Sequence, residues 1–413
     1  MVKKIVAIFV CILIAIGSGF TVAASTSVEK PRAVPQTIGS QHPTSTLITE
    51  LDNNRVIEVD NTGAIIWQNA GIMSPIDSER LANGNTLITE LGNNRVIEVN
   101  PSGNIVWQYT GGLYGPWDAE RLANGNTLIA DTYNFRVIEV DNTGTIVWSY
   151  LGSGMTTDVE RLANGNTLMT EFSYYYSGNR VIEVDSSGTI VWQKTGLNMI
   201  PSDVERLSNG NTLICEWYPS RVIEVNSAGA IVWAYNSAMG LAMDAERFAN
   251  GNTLISEIFY GDRVIEVNSA GTIVWQKAGL LAPTDAERIS DPPNAPTITG
   301  KTPGKTGVEY EYTFNATDPE GDNVRYIIDW GDNTSNTTVY YLSGTDAKIK
   351  HTWSTGGTYN VTAIAEDIYG FEGPEGKLVV KMPRNKPSSF NIINWLFKRF
   401  PNAFPILRRL SGF

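Results

Sequence analysis

Six times the chain reads D-x-E-R, with the Asp at positions 77, 118, 158, 203, 244 and 285. In an extended strand, residues two apart share a face. Each motif therefore sets an Asp and a Glu side by side and turns the Arg to the other side. Stacked carboxylates of this kind are oxygen ligands for a hard cation. They are equally the acidic halves of structural ion pairs. A second acid follows in each unit (Glu50, Glu90, Asp131, Glu171, Glu216, Glu257), and an Arg comes a few residues later (Arg55, Arg95, Arg136, Arg180, Arg221, Arg263). That spacing predicts an acid–Arg pair across one hairpin loop. The chain has only two His, His42 and His351, and neither lies near a D-x-E-R motif. No Ser-His-Asp set, phosphate-cradling loop or His-rich metal motif occurs.

Aromatic side chains form a second group. Tyr114, Trp117, Tyr133, Tyr174, Tyr175, Tyr176, Trp217, Tyr218, Phe259 and Tyr260 all fall in segments that differ from unit to unit. Rings among carboxylates can stack on sugars or hold a peptide. They can also simply cap the ends of strands.

These residues are positioned by a repeat of about 40 residues. The unit 118–157 reads DAERLANGNTLIADTYNFRVIEVDNTGTIVWSYLGSGMTT. D-A-E-R-L is a short strand and A-N-G-N a tight turn, since Asn and Gly tolerate positive φ. N-T-L-I-A-D, R-V-I-E-V-D and T-I-V-W-S-Y supply three more strands. Four antiparallel strands per 40 residues make a propeller blade. V-I-E-V and the fourth-strand Trp each occur six times, yet N-G-N-T-L occurs only five. The first unit starts at Thr46 without its first strand, and DAERIS, residues 285–290, is a first strand without a unit. The two complete each other, which predicts a six-bladed ring with no open sheet edge. The N-G-N and [DN]-x-x-G turns then share one face of the disc. The variable loops share the other, where binding usually sits.

Composition bounds the rest. Lys3 and Lys4, an apolar run Ile5–Ile16 and a small-residue end at Ala24 have the layout of a signal peptide, 1–24, with an uncleaved anchor as the alternative. The mature chain then keeps one thiol, Cys215, so no internal disulfide forms. The formal charge is −12. Ten positive charges lie outside residues 25–376, two in the leader and eight from Lys377 onward, which leaves that body at −22. Such a surface disfavours nucleic acid and suits cations or solubility.

The segment "GNTLIADTYNFRVIEVDNTG" resembles NHL-type repeats, and "ERLANGNTLI … IVW" resembles the propeller of bacterial aryl-sulfate sulfotransferases. "VDNTGTIVW" resembles the Trp-docking segment of quinoprotein dehydrogenases. The sulfotransferase resemblance implies a His nucleophile, and no repeat contains a His. The quinoprotein resemblance implies eight blades and a Cys pair, against six blades and one Cys. Beyond a Pro-rich linker, 291–300, Trp330-Gly331-Asp332, His351-x-Trp353 and Gly357-Thr358-Tyr359 resemble the PKD family, an immunoglobulin-like module of surface proteins. That places a β-sandwich at 301–382. Within it Asp318, Glu320 and Asp322 are candidate calcium ligands, although an Asp-Gly turn explains them as well. Asn315, Asn333, Asn336 and Asn360 are glycosylation sequons. The basic tail, 383–413, holds a short apolar helix over Phe390–Phe400 suited to a membrane surface or a partner. It looks like tails of secreted PKD-bearing archaeal proteins.

The expectation is an all-β protein: residues 25–45 as a linker, a six-bladed β-propeller at 46–290 closed by its last strand, a PKD-like sandwich and a short helix. Functionally it reads as an exported surface protein whose propeller face binds a glycan or protein. A sulfotransferase-like enzyme and a purely structural envelope component are the alternatives.

Overall fold

The computed structural model describes residues 44–382, apart from 174–177, 198–199, 218–219, 237–239, 260 and 320, together with Arg399. The signal-like leader, His42 and the predicted tail helix therefore lie outside the described residues. The chain divides into two compact units, Met1–Ser290 and Asp291–Phe413.

In the first unit, residues 45–289 form six four-stranded antiparallel sheets. One of them joins Pro283–Ile289 to Ser45–Glu50, Arg55–Asp60 and Ile65–Ala70, in that order. DAERIS thus runs antiparallel to the first strand of the chain, with Ala286 opposite Ile48 and Glu287 opposite Leu47. The other five blades each follow one continuous stretch of sequence, as in Pro116–Arg121, Thr127–Asp131, Arg136–Val140 and Ile146–Leu151.

The second strand of each blade is buried along its whole length. It is flanked within its sheet and covered on both faces by the neighbouring blades. T-L-I-T-E suits that place because the β-branched residues pack on a pleat and the Thr is small. Where an N-G-N turn joins the first two strands, Gly sits at positive φ, as Gly84 does at +81°, and its N–H bonds to the Leu81 carbonyl. The outermost strands expose an Ile–Val pair, as at Ile105 and Val106. A register shift beside Val106 interrupts that edge, which is one way natural sheets discourage edge pairing.

The second unit packs a three-stranded sheet (Thr297–Gly300, Tyr310–Asn315, Ala347–His351) against a four-stranded one (Ser335–Thr337, Val324–Asp329, Gly357–Asp367, Gly376–Met382). Residues 297–300, assigned to the linker from their neighbouring prolines, are a strand: Thr297 pairs with Asn315 and Ile298 with Phe314. The core is aromatic. Trp330, Trp353, Tyr312, Phe314 and Tyr326 are fully buried, and Tyr312 meets both Trp rings edge-on.

Gly331 explains the Trp-Gly-Asp motif. It has φ +73°, and a Cβ there would stand 2.7 Å from the Asn360 carbonyl oxygen. Gly331→Ala therefore combines a left-handed backbone with a backbone clash. It is expected to cost about 2–3 kcal/mol, read as a lower denaturation midpoint for this unit in urea.

Candidate functional site

Two features stand on the axis of the propeller: a channel lined with carboxylates, and an apolar plug at one end of it. The channel has a volume of about 480 Å³ and is lined by the first three residues of all six D-x-E-R motifs. Those residues are Asp, Glu, Ala, Val and Ser, with no basic side chain among them.

Each lining carboxylate binds the next blade. The Asp77 Oδ2 accepts the Ala119 N–H, Asp118 that of Val159, and Asp158 that of Val204. Asp203 takes Ala245, Asp244 takes Ala286, and Asp285 takes Ser78. The cycle so returns to its first member. The Glu residues make a second cycle, from Glu79 on the Arg121 N–H at 2.9 Å to Glu287 on the Arg80 N–H at 2.7 Å. First strands on the axis are too splayed to form a ladder with one another. Side-chain acceptors satisfy their inward N–H groups instead.

Burial raises these acids. Glu79, Glu160 and Glu246 are pushed up to about 7, as are Asp203 and Asp285. Asp77, Asp118, Asp158 and Asp244 rise well above the usual carboxylate range, burial first and neighbouring carboxylates with it. Each Asp is half-buried, with one side open to the channel. Protein encloses these groups on their other sides, so desolvation remains the larger effect. Among the described residues, no group of three or more His, Cys, Asp and Glu is arranged to hold a metal ion.

The remaining charges are structural. The D-x-E-R Arg reaches back to the V-I-E-V Glu of the preceding blade in all six cases, at 2.6–3.4 Å. It also lies over that blade's fourth-strand Trp at 4.4–5.0 Å. In five blades the N-G-N Asn completes this Glu, as Asn126 does for Glu139 at 2.6 Å. Blade one has no such turn, and the Ser45 hydroxyl takes that role on Glu58. The predicted pairs across the second loop also form in all six blades, Arg136 on Asp131 at 2.7 Å among them.

The plug is built from two positions per blade, one shortly before D-x-E-R and one at or just after the end of the second strand. Ile76, Leu91, Trp117, Phe172, Trp217 and Ile258 are buried in it. The Trp117 and Trp217 rings are 6.4 Å apart. They belong to blades three and five, which are not neighbours, so they meet over the axis and close that end of the channel. Tyr133 and Phe259 pack on the plug while partly buried. Tyr114 is exposed, its ring 5.4 Å from that of Tyr133. Tyr174, Tyr175, Tyr176, Tyr218 and Tyr260 lie outside the described residues. Of the described rings, Trp117 and Trp217 thus serve as packing, and Tyr114 is the one offered to solvent.

Other exposed apolar residues stand on the same face outside the aromatic pattern: Met73, Phe135 and Leu281. A positional signal was present for two of them. Met73, Tyr114 and Leu281 each stand four residues before the D-x-E-R Asp, and each N–H bonds to a second-strand acid.

In the second unit, Asp318 is buried, and its Oδ1 accepts the Asp322 N–H across the Gly321 turn. Glu320 lies outside the described residues. His351 stacks on Trp330 at 4.4 Å and bonds through Nε2 to Asp332, as a framework residue does. Asn333 and Asn360 are exposed. The Asn315 Nδ2 donates to Gly344 and Asp346, and the Asn336 Oδ1 accepts from the Trp330 indole. Cys215 is fully buried.

Residues 52–209 match the family profile described as outer membrane protein assembly factor BamB, and residues 290–381 match that of the PKD domain. A search of curated proteins finds no match. Among solved structures, the PKD domain of an M14-like peptidase from Thermoplasmatales archaeon SCGC AB-540-F20 is 46% identical. It covers 23% of this chain and 100% of its own, with a TM-score of 0.23. A protein of unknown function from Bacteroides caccae is 17% identical over 60% of this chain and 100% of its own, with a TM-score of 0.52. The WD40 β-propeller domain of Doa1 is 12% identical over 52% of this chain and 72% of its own, with a TM-score of 0.43.

Proposed function

From a chain whose residues 290–381 are a PKD domain and whose residues 52–209 carry BamB-like propeller repeats, we propose an exported, surface-associated binding protein. Its propeller loop face takes a glycan or protein ligand. BamB-like repeats and PKD domains are typical of extracellular or envelope proteins. A propeller joined to a PKD domain fits an extracellular binding or structural protein in general.

The observation that carries the binding reading is the contrast between the two faces. The turn face repeats the same Asn-Gly turns and [DN]-x-x-G turns. The loop face varies between blades and exposes Met73, Tyr114, Phe135 and Leu281. Large exposed apolar side chains on a rigid frame are the usual anchors of a binding surface.

Glycan and peptide arrays test this. Tyr114→Ala with Phe135→Ala is expected to weaken a wild-type hit by about tenfold or more without lowering the melting temperature. Trp217 is a poor probe because its loss would damage the plug. An array on which the folded wild-type protein binds nothing would favour a structural envelope component.

A further inference from the structure

We propose that the axial carboxylates form a proton-dependent clasp: protonated, they tie blade to blade, and ionised, they force the ring apart at the seam between Pro283–Ile289 and Ser45–Glu50. This does not rest on the loop face or on any ligand.

The geometry has three parts. First, twelve carboxylates share a channel of about 480 Å³ with no basic side chain in its lining. The nearest guanidinium groups stand behind the channel wall. Arg80 is held by Glu58 and Trp67, and Arg288 by Glu266 and Trp275. Each is paired with another acid, and Arg121, Arg161, Arg206 and Arg288 still lower Glu79, Glu120, Glu160 and Glu246, but by less than burial raises them. Each N–H bond favours an ionised acceptor, but like charges crowded at low dielectric cannot all ionise together. Taking up protons therefore relieves the repulsion along the axis.

Second, the charges press on the inner strands. Asp285 and Glu287 face Asp77 and Glu79 on one neighbouring strand and Asp244 and Glu246 on the other, with Asp118 and Asp203 across the channel. The Thr49 hydroxyl from the second strand and the Ser78 hydroxyl from the next blade both donate to Asp285. Mutual repulsion drives the six inner strands away from one another, which puts the ring under tension around its circumference.

Third, the blades resist unequally. In five of them an N-G-N hairpin ties the inner strand covalently to the next. In blade one the same two strands come from opposite ends of the propeller and are joined by hydrogen bonds alone. The seam yields first.

The sign follows from the raised acids. Asp285 is pushed up to about 7 by burial, and Glu287 lies well above the ordinary range for the same reason. The folded ring thus holds protons that the unfolded chain releases near its ordinary carboxylate pKa of about 4. The stability these groups contribute is complete below about pH 4 and is lost as pH rises through about 7.

Hydrogen exchange of the full chain tests this at pH 5 and pH 8, in chelator, after correction for intrinsic rates. Peptides covering 45–50 and 283–289 are expected to open at least tenfold more at pH 8, while 167–171 and 212–216 change much less. Asp285→Asn with Glu287→Gln should narrow the seam's pH difference. Asp60→Asn, on an exposed turn, should not. Equal protection of the seam at both pH values would overturn the clasp. So would equal opening in every blade.

Discussion

A chain lacking residues 285–290 is expected to lose the cooperative melting transition of the whole propeller, not only of its last blade. Deletion removes the inner strand of blade one and leaves Leu47 and Ile48, both fully buried, on a bare sheet edge. It also breaks both axial cycles at one point. Ser78 and Arg80 lose the acceptors of their N–H groups, and Glu266 loses Arg288. Trp275 loses the guanidinium over its ring. Each buried group left unpaired costs about 1–3 kcal/mol, and the charged one more. The sum reaches the whole stability of an ordinary domain, about 5–15 kcal/mol. Calorimetry of the deleted chain should show the PKD transition and no propeller transition. A propeller transition kept within a few degrees of the wild type would show that the ring does not depend on this strand.

The same six residues show what the sequence makes legible and what it does not. The missing first strand and the surplus last one are visible as a count of D-x-E-R against N-G-N-T-L. The acid–Arg pair across the second loop is visible as well, because both partners are side chains at a fixed spacing in every unit. The axial role of Asp and Glu is less so. Their partners are backbone N–H groups of the adjacent blade, and a backbone amide leaves no mark on a residue pattern. The variable segments around Trp117 and Trp217 predict surface positions, yet both side chains are buried. Their segments vary because each blade fills its share of one irregular plug with a different side chain, Ile76 in blade two where Trp117 stands in blade three. Variation in a loop therefore marks either a ligand face or a shared core. Only burial separates them, and burial depends on whether side chains from other blades arrive at the same point. In the sandwich the aromatic motif residues are core, and their spacing was sufficient because their partners lie within one module.

Arg136→Ala is expected to destabilise the propeller by about 3 kcal/mol, at the lower end of the range for breaking a buried pair. Asp131 is fully buried, and the Arg136 side chain is 28% exposed. The loss is therefore that of the acid's partner more than that of the Arg itself. Water can enter the vacated space and limit the cost. Asp131 also holds the loop face in place: its Oδ1 accepts the Tyr114 N–H at 2.8 Å, and its Oδ2 accepts from Asn134 at 2.8 Å. Removing Arg136 should thus unsettle the exposed ring at Tyr114 without touching it. If the loop face binds as proposed, Arg136→Ala weakens ligand binding along with stability, whereas Tyr114→Ala weakens binding alone. Replacing both partners by neutral residues, Asp131→Asn with Arg136→Met, removes the uncompensated charge and is expected to recover part of the loss. Urea denaturation of the three variants gives the comparison. A double variant less stable than Arg136→Ala would mean that the ionised Asp131 holds the connecting loop by its own hydrogen bonds and that the Arg is secondary.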